Sequence, residues 1–174
     1  SDAKHVLDPT MLMDKEFYED EIISKYDISR IPKGGLLTYI LDEEEEKKDI
    51  INSEKENLKM DKVHHLKGFN TSKTIYSVPE WLAFFANADF IVTDSFHGMI
   101  FSIVFEKDFV VIVNKNRGRD RFLSLLSLLD LENRLILDKS QSSKVNLEKI
   151  DFIKVKELLY KERNLSKDFL KESL

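Results

Sequence analysis

The sequence contains no cysteine, and its apolar runs are short. The absence of cysteine excludes disulfides and thiolate metal sites, and it is compatible with a reducing compartment. The apolar run from Met99 to Phe105, which has one serine inside it, is far shorter than the roughly 20 residues that a membrane helix needs. The sequence therefore predicts a protein without a transmembrane segment, located in the cytoplasm or at the inner face of the membrane.

Several motifs of well-known chemistry are also missing. Neither G-x-G-x-x-G nor a Walker pattern occurs, so the common dinucleotide and P-loop sites lack support, and no cofactor is expected. The nucleophile elbow G-x-S-x-G is absent, which argues against a hydrolase built on Ser95 and His97. His64 and His65 are adjacent on a predicted strand and would point to opposite faces, so no metal site is predicted. A net charge of −5 disfavours a nucleic-acid partner.

The first 33 residues differ from the rest of the chain. The start Ser1-Asp2-Ala3 has no charged-then-apolar leader and is typical of an expression tag, so we expect that an N-terminal domain is missing. Asp8-Pro9-Thr10 predicts a helix start. A rough apolar stripe follows, which predicts a linker helix and consists of Met11, Leu12, Phe17, Tyr18, Ile22 and Ile23. We therefore predict an entry segment at residues 1–33 and a Rossmann-like domain at residues 34–174.

Strand and helix patterns alternate through that domain, and 42% of the chain is hydrophobic while 34% is charged. The predicted strands are short, apolar and rich in β-branched residues: Leu36–Leu41, Lys62–Leu66, Phe90–Thr93 and Phe109–Val113. The predicted helices lie between and after them: Asp42 to about Leu58, Pro79–Ala88, about Gly98 to Phe105, Asp120–Leu131 and Phe152–Leu170. Strands this apolar are covered on both faces. We predict an α/β fold, a three-layer doubly wound domain around a mostly parallel sheet.

Polar side chains follow the predicted strand Phe90–Thr93, at the edge where open parallel sheets bind ligands. The segment Thr93-Asp94-Ser95-Phe96-His97-Gly98 contains a histidine, and imidazole suits proton transfer near neutral pH. His97 is the candidate catalytic residue, with a capping or packing role as the alternative. Asp94 and Ser95 are candidate substrate-binding residues, although both residue types are favoured helix N-caps. Gly98 indicates a close approach of helix and sheet.

A basic loop follows the next predicted strand. Residues 114–121 contain Lys115, Arg117, Arg119 and Arg121 near a helix start, where cations oppose the helix dipole unless an anion is bound. Guanidinium groups bind phosphate and carboxylate in a bidentate manner. The three arginines are therefore candidate ligands for an anionic substrate, and a solvated loop paired with nearby carboxylates is the alternative.

These segments together resemble the C-terminal region of bacterial polysaccharide pyruvyl transferases. The resemblance covers nearly the whole chain, begins at Asp8-Pro9-Thr10 and is strongest over residues 78–135. It depends on several ordered stretches: Val78–Leu82, Ala86–Asp89, Thr93–Gly98, Arg117–Phe122, Leu125-Leu126 and Leu131–Leu135.

The resemblance implies one half of a GT-B-type glycosyltransferase fold and an active site between two domains. It also implies phosphoenolpyruvate as the donor, a glycan or lipid-linked sugar as the acceptor, and a pyruvate ketal on a capsular or cell-surface polysaccharide as the product. His97 would match the active-site histidine of the family, and the arginines would hold the carboxylate and phosphate of the donor. Many relatives have an arginine two residues before the histidine, whereas this chain has Ser95, so we expect Arg119 or Arg121 to bind the donor.

Two other functions fit the same residues. A glycosyltransferase domain would bind the diphosphate of a nucleotide sugar with the basic loop. A non-catalytic module would bind an anion or a glycan without turnover.

Overall fold

The domain is built on a parallel sheet of five strands. The computed structural model describes residues 6–42, 44–67, 74–113, 118–138, 140 and 148–173. The strands are β1 (Leu36–Ile40), β2 (Val63–Lys67), β3 (Phe90–Thr93), β4 (Asp108–Ile112) and β5 (Leu135–Ile136). Their order is β2-β1-β3-β4-β5, and every neighbouring pair is parallel. This order is one of the common doubly wound arrangements.

Five α-helices flank this sheet in the described part of the chain. They are α1 (Glu45–Asn57), α2 (Val78–Asn87), α3 (Phe96–Val104), α4 (Arg119–Leu128) and α5 (Phe152–Ser173). Shorter helical turns cover Pro9–Leu12, Phe17–Ile22, Ile23–Lys25 and Glu132–Arg134. In the described chain, no helix is both long and apolar enough to cross a membrane.

The two faces of the sheet have separate apolar cores, which confirms the predicted doubly wound α/β architecture. Along β3, Ile91 belongs to the larger core, whereas Phe90 and Val92 belong to the smaller one. Side chains of α2, α3, α4 and α5 contribute to the larger core, and Ile50 of α1 contributes to the smaller one. Because successive side chains of a strand point to opposite faces, a sheet covered on both sides needs the apolar runs seen in the sequence.

The predicted elements are confirmed, although several helix ends are shifted: α1 begins at Glu45 rather than Asp42, and α5 ends at Ser173 rather than Leu170. Helix α3 begins at Phe96 rather than near Gly98, because Ser95 caps it. Helix α4 ends at Leu128 rather than Leu131, because Asp130 adopts a left-handed conformation (φ 57°) and the Leu131 amide returns to the Leu126 carbonyl at 2.8 Å. The two-residue strand β5 was not predicted, because so short a segment has no periodicity.

The entry segment packs against the larger core and forms a 3-10 turn at Pro9–Leu12 followed by an irregular helical stretch over residues 15–25, rather than one continuous helix from Asp8. Met11, Tyr18 and Ile23 of the predicted stripe are buried, and Phe17 is partly exposed. Helix α5 holds this segment, since Arg163 donates to the Met11 carbonyl at 2.6 Å. Ser166 accepts from the Leu7 amide at 3.0 Å. The domain boundary at residue 33 stays a prediction.

Candidate functional site

The candidate site lies at the carboxyl ends of β1 and β3. These strands are neighbours, but the chain continues from β1 to β2 on one side and from β3 to β4 on the other. The loops diverge at such a point and leave a crevice, which is where ligands bind in open parallel sheets. The segment from Thr93 to Gly98 leaves β3 at this position.

Thr93 and Gly98 join the end of β3 to the start of α3. The Thr93 hydroxyl donates to the Tyr39 carbonyl at 2.7 Å and accepts from the Ser95 amide at 3.1 Å. A Cβ atom on Gly98 would lie 2.3 Å from Thr93 Oγ1, well inside van der Waals contact. The predicted close approach at Gly98 is therefore confirmed, and it brings the first turn of α3 onto the strand.

Asp94 connects the two loops of the crevice. Its carboxylate accepts from the Leu41 amide at 2.7 Å, from the Asp42 amide at 3.2 Å and from the Lys47 ammonium at 2.8 Å. The Asp94 and Lys47 side chains are only 3% and 4% exposed. The capping alternative is therefore wrong for Asp94, which fixes the end of β1 and the start of α1 instead. Its substrate-binding role stays a prediction.

Ser95 is the N-cap of α3. Its hydroxyl accepts from the Gly98 amide at 3.3 Å, and the residue is buried. An N-cap serine satisfies an amide that has no partner within the helix. The capping alternative is confirmed for Ser95, and its predicted contact with substrate stays a prediction.

His97 stands in the first turn of α3, and its side chain is 55% exposed. Its Nε2 lies 3.8 Å from Oδ2 of Asp8, a residue of the entry segment. The Phe96 ring is 6.1 Å away between centroids in an edge-on arrangement. The imidazole is therefore exposed to solvent and has one carboxylate close to it, and its catalytic role stays a prediction.

Asp8 caps a short 3-10 turn, which confirms the helix start predicted at Asp8-Pro9-Thr10. One carboxylate oxygen, Oδ1, accepts from the Thr10 amide at 3.0 Å and from the Thr10 hydroxyl at 2.6 Å. The other oxygen, Oδ2, is the one that faces His97. Asp8 was missed as a site residue, although its Asp-Pro-Thr motif was part of the resemblance.

The basic loop is described only at its end. Arg117 lies outside the described residues. Gly118 is the N-cap of α4 with a left-handed backbone (φ 62°), and Arg119 is the exposed first residue of the helix. The guanidinium of Arg121 lies 4.7 Å from the centroid of Phe96 and 5.5 Å from that of Phe122. Arg121 is therefore held beside the start of α3 by two aromatic rings.

A pocket of about 480 Å³ joins the entry segment to α3 and α4. Its floor is apolar, and its polar groups include the carboxylate of Asp8 and the guanidinium of Arg121. The lining residues are Val6, Leu7, Asp8, Met11, Phe96, Asp120, Arg121, Ser124 and Leu125. The structure thus brings Asp8 and Arg121 to one pocket, and Asp8 also contacts His97, which is not among the residues that line it.

A second pocket, of about 370 Å³, lies on the opposite face between α1 and the strands β1 and β2. In it, His65 Nδ1 and the Thr38 hydroxyl are 2.7 Å apart. Among the residues that the structure describes, no group of three or more histidine, aspartate or glutamate side chains could hold a metal ion.

One comparison with known proteins gives a match. A family model described as polysaccharide pyruvyl transferase matches residues 1–116 of this 174-residue chain. The matched range contains Asp8, Asp94, Ser95 and His97, whereas the three candidate arginines follow it. Neither the curated proteins nor the solved structures give a significant match.

Proposed function

Because the chain belongs to the polysaccharide pyruvyl transferase family, we propose that it transfers the enolpyruvyl group of phosphoenolpyruvate to a sugar and forms a ketal. The acceptor in this proposal is a glycan or a lipid-linked sugar of a capsular or cell-surface polysaccharide. The reaction takes place in the cytoplasm, at the face of the membrane where lipid-linked acceptors lie. The observation that supports this proposal best is the exposed His97 imidazole in the first turn of α3, 3.8 Å from the Asp8 carboxylate, with the Arg121 guanidinium on the ring of the adjacent Phe96.

Ketal formation requires an acid at the methylene carbon of the donor. His97 donates a proton to C3 of phosphoenolpyruvate, and C2 becomes electrophilic and forms a bond to an acceptor hydroxyl oxygen. The bond between C2 and the phosphate oxygen then breaks, and a second hydroxyl of the same sugar forms the second C2–O bond. Of the two hydroxyl protons lost, one replaces the proton given to C3 and the other leaves with phosphate.

The donor is highly anionic, so its site needs fixed cations. Arg121 supplies one beside Phe96, and Arg119 supplies another at the exposed start of α4. Arg117 completes the cluster in this proposal. The first turn of α4 has no side-chain cap, and the N–H groups and positive dipole end of a helix N-terminus favour an anion.

In this proposal, Asp94 and Ser95 have mainly structural roles. The Asp94 carboxylate already accepts from Leu41, Asp42 and Lys47, and the Ser95 hydroxyl accepts from Gly98. They shape the crevice wall that substrate contacts, while His97 performs the proton transfer.

The test is direct detection of product. The protein is incubated with phosphoenolpyruvate and a panel of oligosaccharides, and released phosphate and acceptor mass are measured together. We expect stoichiometric phosphate release and a mass gain of one pyruvic acid less one water. The variant His97→Gln should lose a factor of about 100 to 10,000 in turnover, the usual contribution of a general acid. Modification of the acceptor by nucleotide sugars, with phosphoenolpyruvate inert, would instead identify a glycosyltransferase.

A further inference from the structure

We propose that Asp8 is a positioning residue that orients the imidazole of His97. This inference rests on the proposed function, because it gives His97 its role as the acid. The relevant geometry is the 3.8 Å separation of Asp8 Oδ2 and His97 Nε2. Within the described part of the chain, no other carboxylate lies within 4.0 Å of a ring nitrogen of His97.

The carboxylate of Asp8 is itself held in one orientation. Both the amide and the hydroxyl of Thr10 bind Oδ1, so Oδ2 remains directed at the imidazole. The Asp8 side chain is 25% exposed, less than half the 55% exposure of His97. Asp8 is therefore the more constrained partner, and the histidine is the one whose orientation the contact decides.

The entry segment that contains Asp8 is fixed from several sides. The Tyr18 hydroxyl donates to the Thr10 carbonyl at 2.7 Å, and Arg163 of α5 donates to the Met11 carbonyl at 2.6 Å. Leu7, next to Asp8, donates its amide to the buried Ser166 hydroxyl. The bonds to Arg163 and Ser166 attach the backbone around Asp8 to α5. They fix the position of Asp8 relative to α3.

His97 needs such a partner because little else holds its ring. An exposed side chain samples several staggered rotamers, and restricting it to one of them costs conformational entropy. At 3.8 Å from Nε2 the Asp8 carboxylate makes an ion-pair contact, too long for a hydrogen bond, and its charge favours the rotamers of the protonated ring that keep Nε2 close to Asp8. The other charged groups on this side of α3 are the Arg121 guanidinium on the Phe96 ring and Asp120, both of which line the pocket that also includes Asp8.

The substitution Asp8→Asn tests the effect of Asp8 on the orientation of His97 while the fold is retained. Asparagine is as good an N-cap as aspartate, so the turn at Pro9–Leu12 is retained while the carboxylate charge is lost. A matched control is Asp14→Asn, since Asp14 also accepts from a backbone amide, that of Phe17 at 3.0 Å, in an exposed setting of the same segment. Circular dichroism and thermal unfolding verify that both variants fold.

The first readout does not depend on activity. Three-bond couplings to Cγ of His97, measured by NMR on the full chain, report the distribution of its χ1 rotamers. We expect one dominant rotamer in the wild type and in Asp14→Asn, and averaging among rotamers in Asp8→Asn. Equal couplings in Asp8→Asn and the wild type would overturn the proposal, whether or not the chain shows transferase activity.

The second readout is the double-mutant cycle on turnover of phosphoenolpyruvate. We expect Asp8→Asn to lower kcat by about 10- to 100-fold with the KM for phosphoenolpyruvate within about threefold of the wild type, the typical size of a lost orienting partner. In the His97→Gln background, the same change should have no further effect. Independent, multiplicative losses would show that Asp8 acts without His97 and would refute the positioning role.

Discussion

The ammonium of Lys47 lies 2.8 Å from a carboxylate oxygen of Asp94, and both side chains are almost completely buried. Lys47 stands in the first turn of α1, and Asp94 directly follows β3. Their pairing ties the two loops that border the crevice, because Asp94 also accepts from the amides of Leu41 and Asp42. The crevice thus has a wall fixed by a buried ion pair next to the exposed His97.

Breaking this pair should destabilise the fold. Asp94→Asn removes the buried carboxylate 2.8 Å from the Lys47 ammonium and leaves the more distant, exposed carboxylate of Glu44 at 3.7 Å, so we expect a loss of about 2–4 kcal/mol in the free energy of unfolding. The measurement is urea denaturation. The matched control is Lys48→Met, on the exposed side of the same helix turn, which should change stability by less than about 0.5 kcal/mol. A loss for Asp94→Asn as small as for the control would contradict the buried pairing.

Gly98 should not tolerate a side chain. The variant Gly98→Ala places a methyl group against Thr93 Oγ1, and we expect a loss of about 1–3 kcal/mol as α3 moves away from β3. Thermal and urea unfolding provide the measurement. The Thr93→Ala background removes Oγ1, the atom 2.3 Å from the new methyl group, and leaves Cβ at 3.1 Å, so the cost of Gly98→Ala should fall without vanishing. An equal cost in both backgrounds would show that the close contact with Thr93 is not the cause.

The ionisation of Glu80 makes the free energy of unfolding depend on pH in the acidic range. The Arg30 guanidinium, with the amide and hydroxyl of Ser77, lowers the pKa of Glu80 from 4.5 to about 2. Because the folded-state pKa lies below the unfolded one, this stabilisation is complete above pH 4.5 and is lost as pH falls toward 2. Glu80→Gln should therefore be less stable than the wild type at pH 6, and the difference should shrink by pH 2.5. The exposed Glu56→Gln serves as the control, and a Glu80→Gln difference independent of pH would refute this coupling.

Much of the fold could be predicted because its signals are local. The apolar strands such as Phe90–Thr93 and the amphipathic α5 have clear periodicity, and their alternation defines a doubly wound sheet. The start of α3 depended on which polar residue caps it, and the end of α4 on the left-handed backbone of Asp130. Ser95 and Asp94 are both plausible caps in sequence, and the amides of Leu41 and Asp42, which donate to the Asp94 carboxylate, assign Asp94 to another role.

Part of the candidate site could also be predicted from local sequence signals. His97 and the arginines follow strands, and strand ends are visible in the sequence. Asp8 lies in the segment that precedes the first strand, and its approach to His97 depends on the packing of that segment against α5. No local pattern reports such a contact between distant segments.

The most direct test of this account is calorimetric titration of phosphoenolpyruvate into the protein, up to about 5 mM donor, beside Arg119→Ala, Arg121→Ala and Lys171→Ala. Lys171 lies at the far end of α5 and serves as the control for loss of one exposed cation. We predict saturable binding to the wild type and to Lys171→Ala, with affinity at least about tenfold weaker for Arg121→Ala because a charged hydrogen-bond partner is lost. Binding unaffected by either arginine change, or no binding at all, would contradict a donor site at the start of α4 beside His97.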